Sequence, residues 1–117
     1  MNNRQKGKRY EQLASDYLRD EGYKILEQNY RNKQGEIDVI ASKDNTLVYC
    51  EIKYRSGVNY GHPLEAVDIK KQRQICKVAS YHYARYGWNN MACRFDVIGI
   101  EQNGKITHIM NAFDYIR

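Results

Sequence analysis

Two short stretches carry the residues of this chain that could do chemistry: residues 35–41 (GEIDVIA) and residues 49–55 (YCEIKYR). Asp38 lies in the first stretch, and Glu51 and Lys53 lie in the second. Two carboxylates can hold a divalent metal ion, and a lysine beside them can position a water or pair with a phosphate. On neighbouring strands, this set predicts a metal-dependent site for phosphodiester hydrolysis.

The predicted site depends on how the two stretches pair. A tight turn through residues 44–45 would set Asp38 opposite Glu51 and Glu36 opposite Lys53. Like charges opposed in this way destabilise a sheet unless a cation offsets them. The register is an assumption, because a slip by one residue would turn a strand's side chains to the other face. The alternative is a solvent-facing strand on which Glu and Lys alternate without function. The residues alone leave both interpretations open.

The elements that must position these residues follow from the hydrophobic pattern. Helices are predicted over residues 10–21 and from about Leu64 or Asp68 to Tyr86. Strands are predicted over residues 23–29, 36–41, 47–54, 94–100 and 106–110, and residues 31–35 are predicted to form a loop. The order α-β-β-β-α-β-β predicts an α/β sandwich with a mixed sheet. At 117 residues the chain is expected to form one domain, residues 1–117.

Composition narrows the class of protein. Hydrophobic residues make up 42% and charged residues 28%, which is ordinary for a globular protein. No apolar run is long enough to span a membrane, and no apolar segment of a secretory signal follows the basic beginning of the chain. Three cysteines without paired short spacing argue against zinc and disulfide frameworks. We therefore expect a reduced, cytoplasmic protein with no membrane partner.

The net charge of +5 favours polyanionic partners such as DNA. The charge is concentrated in two clusters, which are expected to bind nucleic acid together with Arg55. The clusters are Arg4, Lys6, Lys8 and Arg9 near the beginning of the chain, and Lys70, Lys71, Arg73 and Lys77 on the second predicted helix. Solvated helix faces are the alternative interpretation. Tyr54, Tyr60 and Tyr81 could stack on bases or simply pack.

Residues 35–41 and 51–55, together with Lys71 and residues 94–97 (RFDV), resemble the YraN-like family of small, uncharacterised bacterial proteins. The resemblance covers nearly the whole chain. That family is similar in fold to restriction endonucleases and to archaeal Holliday junction resolvases, which belong to the PD-(D/E)xK superfamily. The resemblance implies a restriction-endonuclease-like αβββαβ core with a mixed sheet flanked by helices.

The resemblance also implies roles for individual residues. Asp38 matches the aspartate of the superfamily motif, and Glu51 and Lys53 match its (D/E)xK part. Asp38 and Glu51 would bind Mg²⁺ or Mn²⁺, and Lys53 would serve the attacking water. Glu11 matches a glutamate on the first helix of the resolvase-like branch, although an exposed helix glutamate is an equally good interpretation. Ile37 stands where the superfamily's name has proline.

The expected function is metal-dependent endonuclease activity on structured DNA, branched or single-stranded, as in repair or recombination. The alternative is a non-catalytic nucleic-acid-binding or adaptor protein that retains the nuclease fold. A purely structural protein would leave the opposed carboxylates unexplained. A junction resolvase would need two sites and hence a homodimer, and the sequence leaves the oligomeric state open.

Overall fold

Five strands form one mixed sheet in this protein. The structure is a computed structural model that describes residues 3–55, 61–86 and 91–116, with only the backbone of Asn3 and Lys6. The elements are α1 (Asn3–Asp20), β1 (Lys24–Asn32), β2 (Gly35–Lys43), β3 (Thr46–Arg55), a 3₁₀ helix (Pro63–Ala66), α2 (Ile69–Tyr86), β4 (Ala92–Glu101) and β5 (Ile106–Phe113). The strand order is β1-β2-β3-β4-β5, in which β3 and β4 are parallel and the other neighbours antiparallel. This arrangement confirms the predicted α/β class and mixed sheet.

Helix α1 ends where the sequence predicts. Gly22 has a φ of +92°, a conformation that glycine adopts without strain. The N–H of Tyr23 donates to the carbonyl of Leu18 at 2.9 Å, and the N–H of Gly22 donates to that of Arg19 at 3.0 Å. These two bonds satisfy carbonyls that the last turn of a helix leaves without partners. The chain is thereby turned directly into β1.

The predicted loop over residues 31–35 is wrong. Strand β1 continues to Asn32, so only Lys33 and Gln34 remain between the strands. The side chain of Asn32 accepts the N–H of Gln34 at 2.8 Å, which closes a tight turn. Gly35 then starts β2 with a φ of +144°. A longer loop was predicted from the polar composition of this segment, but the hydrogen bond from Gln34 to Asn32 allows the chain to reverse within two residues.

The hairpin between β2 and β3 has the predicted register. Ile40 pairs with Tyr49 and Lys43 pairs with Thr46. Asp44 and Asn45 form the turn, with φ values of 51° and 57°. Positive φ at both positions defines the turn whose twist matches that of the strands, and Asp and Asn tolerate this conformation better than most residues. The turn therefore fixes which face of each strand its side chains occupy.

Both faces of the sheet are covered by helices. On one face, Val39, Val48 and Cys50 pack with Ala14 and Leu18 of α1. The α2 face is built from Ile37, Ile40, Leu47, Tyr49 and Val97 of the sheet against Ile75, Cys76, Val78 and Ala79 of α2. Within the described ranges, neither helix combines the length and hydrophobicity needed to cross a membrane. The layers leave the ends of β2 and β3 as the place where polar side chains meet.

Candidate active site

Asp38 and Glu51 meet where β2 and β3 separate. The paired residues of the two strands end at Val39 and Cys50. One residue further, the Asp38 carboxylate accepts the backbone N–H of Ile52 through Oδ2 at 2.7 Å. A side chain thus replaces the expected ladder bond, and Asp38 remains close enough to Glu51 for their charges to interact. The structure therefore brings together the two carboxylates that the sequence placed opposite each other.

Glu51 is held in an environment that opposes its ionisation. Its side chain is buried, with the residue 7% exposed. Burial, followed by the neighbouring charge of Asp38, raises the pKa of Glu51 from 4.5 to about 8. The charges of Lys71 and Lys53 act in the opposite direction but do not cancel this effect. Glu51 is therefore a buried carboxyl group with too little positive charge nearby to keep its pKa at the ordinary value.

Lys53 lies beside this carboxyl group. Its Nζ is 3.8 Å from Oε1 of Glu51, as expected for side chains two residues apart on one strand face. The lysine remains partly exposed, so its ammonium can reach both the buried carboxylate and solvent. This position suits a charge that orients a water or contacts a phosphate next to the carboxylates.

Lys71 is a second cation at the site. The sequence placed it only in a nucleic-acid-binding cluster, but its charge also acts on Glu51. The N–H of Lys71 donates to Oδ1 of Asp68 at 2.8 Å, which caps α2 and fixes its first turn. The sequence signal for this second role was weak, since Lys71 lies far along the chain from Glu51 and on another element.

The donor set suits a hard divalent cation bound with help from water and phosphate. Across the described parts of the chain, no group of three or more His, Cys, Asp or Glu side chains is placed to hold a metal ion. Asp38 and Glu51 offer carboxylate oxygens, of which one is used by the Ile52 amide. Mg²⁺ commonly binds one or two carboxylates and completes its shell with waters and substrate phosphates. The residues present fit Mg²⁺ or Mn²⁺.

Glu11 and Glu36 belong to a separate group. The Asn29 carboxamide lies between them and, with its amide oriented to donate, reaches Glu11 Oε1 at 3.2 Å and Glu36 Oε1 at 3.3 Å. The predicted pairing of Glu36 with Lys53 is wrong: Arg31, opposite Glu36 on β1, donates to it at 3.1 Å. The reason is that β2 pairs with β3 only over Val39–Lys43, whereas β2 is still paired with β1 at Glu36. No hydrogen bond among the described residues joins Glu11 to Asp38 or Glu51.

The basic residues predicted to bind nucleic acid lie on both helices. Arg4, Lys8 and Arg9 are exposed on α1, and the Lys6 side chain lies outside the described residues. Lys70 and Arg73 are exposed on α2, with Lys71 half-buried next to them. Arg55 differs from these, because its guanidinium donates to the carbonyl of His62 at 3.0 Å.

The three tyrosines considered for base stacking have different surroundings. Tyr54 stacks on Tyr10 with 4.0 Å between ring centroids, so it packs against α1. Tyr81 is 51% exposed on α2. Tyr60 lies outside the described residues. Of the two that are described, Tyr81 alone presents a largely open ring.

A second buried carboxylate, Asp96, shows the opposite electrostatics. It accepts two hydrogen bonds from Arg94, both at 2.9 Å, the N–H of Asn111 at 3.0 Å, and a hydrogen bond from His108 Nε2 at 2.7 Å. Burial alone would raise the pKa of Asp96, but these donors outweigh it and the pKa lies below its ordinary value. Asp96 is thus a satisfied structural carboxylate that ties β4 to β5.

Comparisons with known proteins give one consistent result. The sequence model of the family described as "Uncharacterised protein family UPF0102" matches residues 10–100. A UPF0102 protein of Clostridioides difficile is 47% identical over 114 residues, covering 97% of this chain and 100% of the relative. One from Persephonella marina is 44% identical over 109 residues, covering 93% of each chain. These matches confirm the YraN-like resemblance.

Likeness to solved structures is slight. The structure of Pyrococcus furiosus SfsA in complex with Ca²⁺ shares 12% identity and a TM-score of 0.32. The match covers 93% of this chain and 64% of that one, so this chain spans less than two thirds of SfsA. A likeness of this size carries no argument about function.

Proposed function

This chain belongs to the UPF0102 family, and from that premise we propose that it is a metal-dependent endonuclease that hydrolyses phosphodiester bonds of structured DNA. Asp38 and Glu51 would hold Mg²⁺ or Mn²⁺, and Lys53 would act beside them. The match to the family does not itself include an activity. The proposal is therefore built on the chemistry of the site.

The observation that carries the proposal is that the buried carboxyl group of Glu51 lies beside a second carboxylate, Asp38, and Lys53, an arrangement that also raises the pKa of Glu51. Asp96 is a useful comparison, because it is fully buried yet surrounded by donors that keep it ionised. Glu51 is nearly as buried but has a second carboxylate as its neighbour. The donors around Asp96 lower its pKa despite burial, whereas the neighbours of Glu51 leave its pKa raised. Two neighbouring carboxylates in a buried site, whose repulsion Lys53 and Lys71 offset only in part, are typical of a functional centre.

Each residue has a role that its position supports. A bound Mg²⁺ or Mn²⁺ would lower the pKa of a bound water and neutralise phosphate charge. Lys53, 3.8 Å from Glu51, would orient the water or contact the scissile phosphate. Lys71 would add positive charge on the α2 side of the same carboxylate. Glu11 contacts Asn29 rather than Asp38 or Glu51, so it would act from outside the proposed metal-binding pair.

Cleavage assays with matched variants test this proposal. Wild type, Asp38→Asn and Asp20→Asn are incubated with linear, branched and single-stranded DNA in Mg²⁺, Mn²⁺ or EDTA. Asp20 is an exposed aspartate at the end of α1 and serves as the charge-matched control. Cleavage by wild type and Asp20→Asn, lost in Asp38→Asn and in EDTA, is expected. The enzyme proposal fails if wild type cuts nothing, or if Asp38→Asn cuts as well as wild type.

A non-catalytic DNA-binding or adaptor protein is the second candidate. It is favoured by α2, which contains five Lys or Arg residues and no Asp or Glu between Ile69 and Tyr86. Such a protein would shift DNA in EDTA, equally well as wild type and as Asp38→Asn. Two-strand cleavage of a junction would further require a homodimer, which light scattering with and without branched DNA would measure.

A further inference from the structure

The outer face of α2 carries a continuous basic stripe. Lys70, Arg73, Lys77 and Tyr81 follow one another at helical spacing, so their side chains share one face. The four residues are exposed. No ion pair involves Lys70, Arg73 or Lys77 among the residues that the structure describes. This stripe is therefore available to an anionic partner.

The turn between β1 and β2 makes the stripe one wall of a groove. Asn32 donates to the carbonyl of Val78 at 3.3 Å, which docks the turn on α2. At Gly35 a Cβ would lie 2.8 Å from Nε2 of Gln74, so the strand and the helix approach closely there. These contacts hold the turn beside the basic stripe.

Two cavities follow this groove and share Gln34 in their walls. One, of about 360 Å³, is lined by Gln34, Lys70, Arg73, Gln74 and Lys77. The other, of about 340 Å³, is lined by Asn32, Lys33, Gln34 and Tyr81. Three basic side chains thus line one end of the groove, whereas one lysine and the exposed ring of Tyr81 line the other end.

The basic end of the groove is the end near the carboxylates. Lys70 adjoins Lys71, whose charge acts on Glu51. Lysines in the first turn of a helix are opposed by the helix dipole, whereas an anion bound there is favoured. The placement of Lys70 and Lys71 is therefore unfavourable for the helix itself and favourable for binding phosphate.

We propose that this groove binds an unpaired DNA strand, with its phosphates on Lys70, Arg73 and Lys77 and one base stacked on Tyr81. This inference rests on the proposed function, because it supplies the path by which a strand reaches Asp38 and Glu51. From Lys70 to Tyr81 the helix rises about 16 Å, a length that about five nucleotides span at roughly 3.4 Å each. The groove would thus hold a short stretch of one strand.

The tyrosine argues for an unpaired strand rather than a duplex. A base in a duplex has both faces covered by its neighbours, whereas an unpaired base can lie flat on an aromatic ring. Tyr81 is 51% exposed in the wall of a cavity. By contrast, Tyr83 of the same helix donates to the carbonyl of Met91 at 2.7 Å and is half-buried.

Fluorescence anisotropy in EDTA tests the groove without cleavage. The full chain is titrated with a labelled single-stranded oligonucleotide, the same length of blunt duplex, and an abasic strand. Variants are Tyr81→Leu, Tyr81→Phe and Lys77→Gln, with Lys105→Gln in the β4–β5 turn as the charge-matched control. Thermal melts check that each variant is folded.

The inference predicts a specific pattern. Tyr81→Leu should weaken binding of the base-containing strand at least about fivefold while Tyr81→Phe does not, since stacking needs only the ring. Neither variant should change binding of the abasic strand. Lys77→Gln should weaken binding of both strands and reduce the slope of log affinity against log salt by roughly 0.7, unlike Lys105→Gln.

Two results would overturn the proposal that the groove binds an unpaired strand. One is a duplex bound as tightly as the single strand, and the other is equal affinity of Tyr81→Leu and wild type for the base-containing strand. Either result with cleavage intact removes the inference and leaves the proposed function standing. If the affinity for the single strand depends on Tyr81 but no metal supports cleavage, the groove proposal stands and the endonuclease proposal fails.

Discussion

The Asp38 carboxylate accepts the backbone N–H of Ile52 at 2.7 Å, directly beyond the last paired residues of β2 and β3. The bond holds the two strands together at the point where their ladder ends. It also fixes the orientation of the Asp38 side chain next to Glu51. Asp38 therefore has a structural role, which is to accept the Ile52 N–H, and a proposed chemical role, which is to bind metal.

The structural role predicts that two substitutions of Asp38 differ in their effect on stability. Asp38→Asn keeps an oxygen that can accept the Ile52 N–H, so its stability should stay near that of wild type. Asp38→Ala leaves that amide without its partner and should lower the free energy of unfolding by about 1–3 kcal/mol. Urea unfolding in EDTA measures the difference. Equal stability of the Asn and Ala variants would show that the bond contributes nothing.

The raised pKa of Glu51 predicts a pH-dependent stability. The pKa is about 8 in the folded protein against 4.5 for the unperturbed group, so between these values folding takes up a proton. Stability from this group is complete below the lower value and is lost as pH rises through the higher one. Glu51→Gln cannot ionise, so its advantage over wild type should grow with pH, by up to about 1.4 kcal/mol per unit.

Unfolding of both proteins in EDTA between pH 5 and pH 9 measures this trend. Glu101→Gln, at the end of β4 and away from the Asp38–Glu51 pair, is the charge-matched control. A constant difference between Glu51→Gln and wild type across this range would show that Glu51 ionises normally in the folded protein.

Divalent metal should stabilise the protein through the same pair. If Asp38 and Glu51 hold Mg²⁺ or Mn²⁺, metal at about 100 times its dissociation constant adds roughly 2.7 kcal/mol to the free energy of unfolding. Asp38→Asn should lose most of this gain, and EDTA should abolish it in wild type. Thermal melts across a metal titration measure it, with Asp20→Asn as the control. An equal rise in melting temperature for wild type and Asp38→Asn would place the metal elsewhere.

The Asp96 network predicts a large loss of stability that is separate from the active site. Asp96→Asn removes the charge that holds Arg94 and His108, and breaking a buried pair in this way costs about 3–5 kcal/mol. Tyr17→Phe removes only the bond between the Tyr17 hydroxyl and His108 Nδ1, 2.9 Å long, and should cost about 1 kcal/mol. Chemical denaturation of both variants tests this order. Similar losses for the two would mean that the ion pair adds little.

Local sequence signals predicted much of the fold. The residues of the turn at Asp44 and Asn45 determine the hairpin register, which in turn brings Asp38 to Glu51. Glycine at position 22 ends α1 as expected. In each case the determinant lies within a few residues of the feature that it controls, so a reader of the sequence can find it.

Features that depend on distant residues were missed. The pairing of Glu36 with Lys53 failed because a tight turn determines pairing only while the strands stay together, and Asp38 ends that pairing. His108 joins Tyr17 to Asp96 through residues far apart in the sequence, a contact that periodicity cannot indicate. The position of Lys71 near Glu51 likewise depends on how α2 docks on the sheet.

Strand β3 lies in the middle of the sheet, hydrogen-bonded to β2 on one side and to β4 on the other. The ladder between β3 and β4 continues through Glu51 and Lys53, whereas the ladder between β3 and β2 ends at Cys50, so protection of the amide protons of Glu51 and Lys53 from deuterium exchange should depend on the pairing with β4. Fraying of the first turns of α1 or of the outer strands would leave these two side chains in place. The site's geometry should therefore persist until the whole domain unfolds.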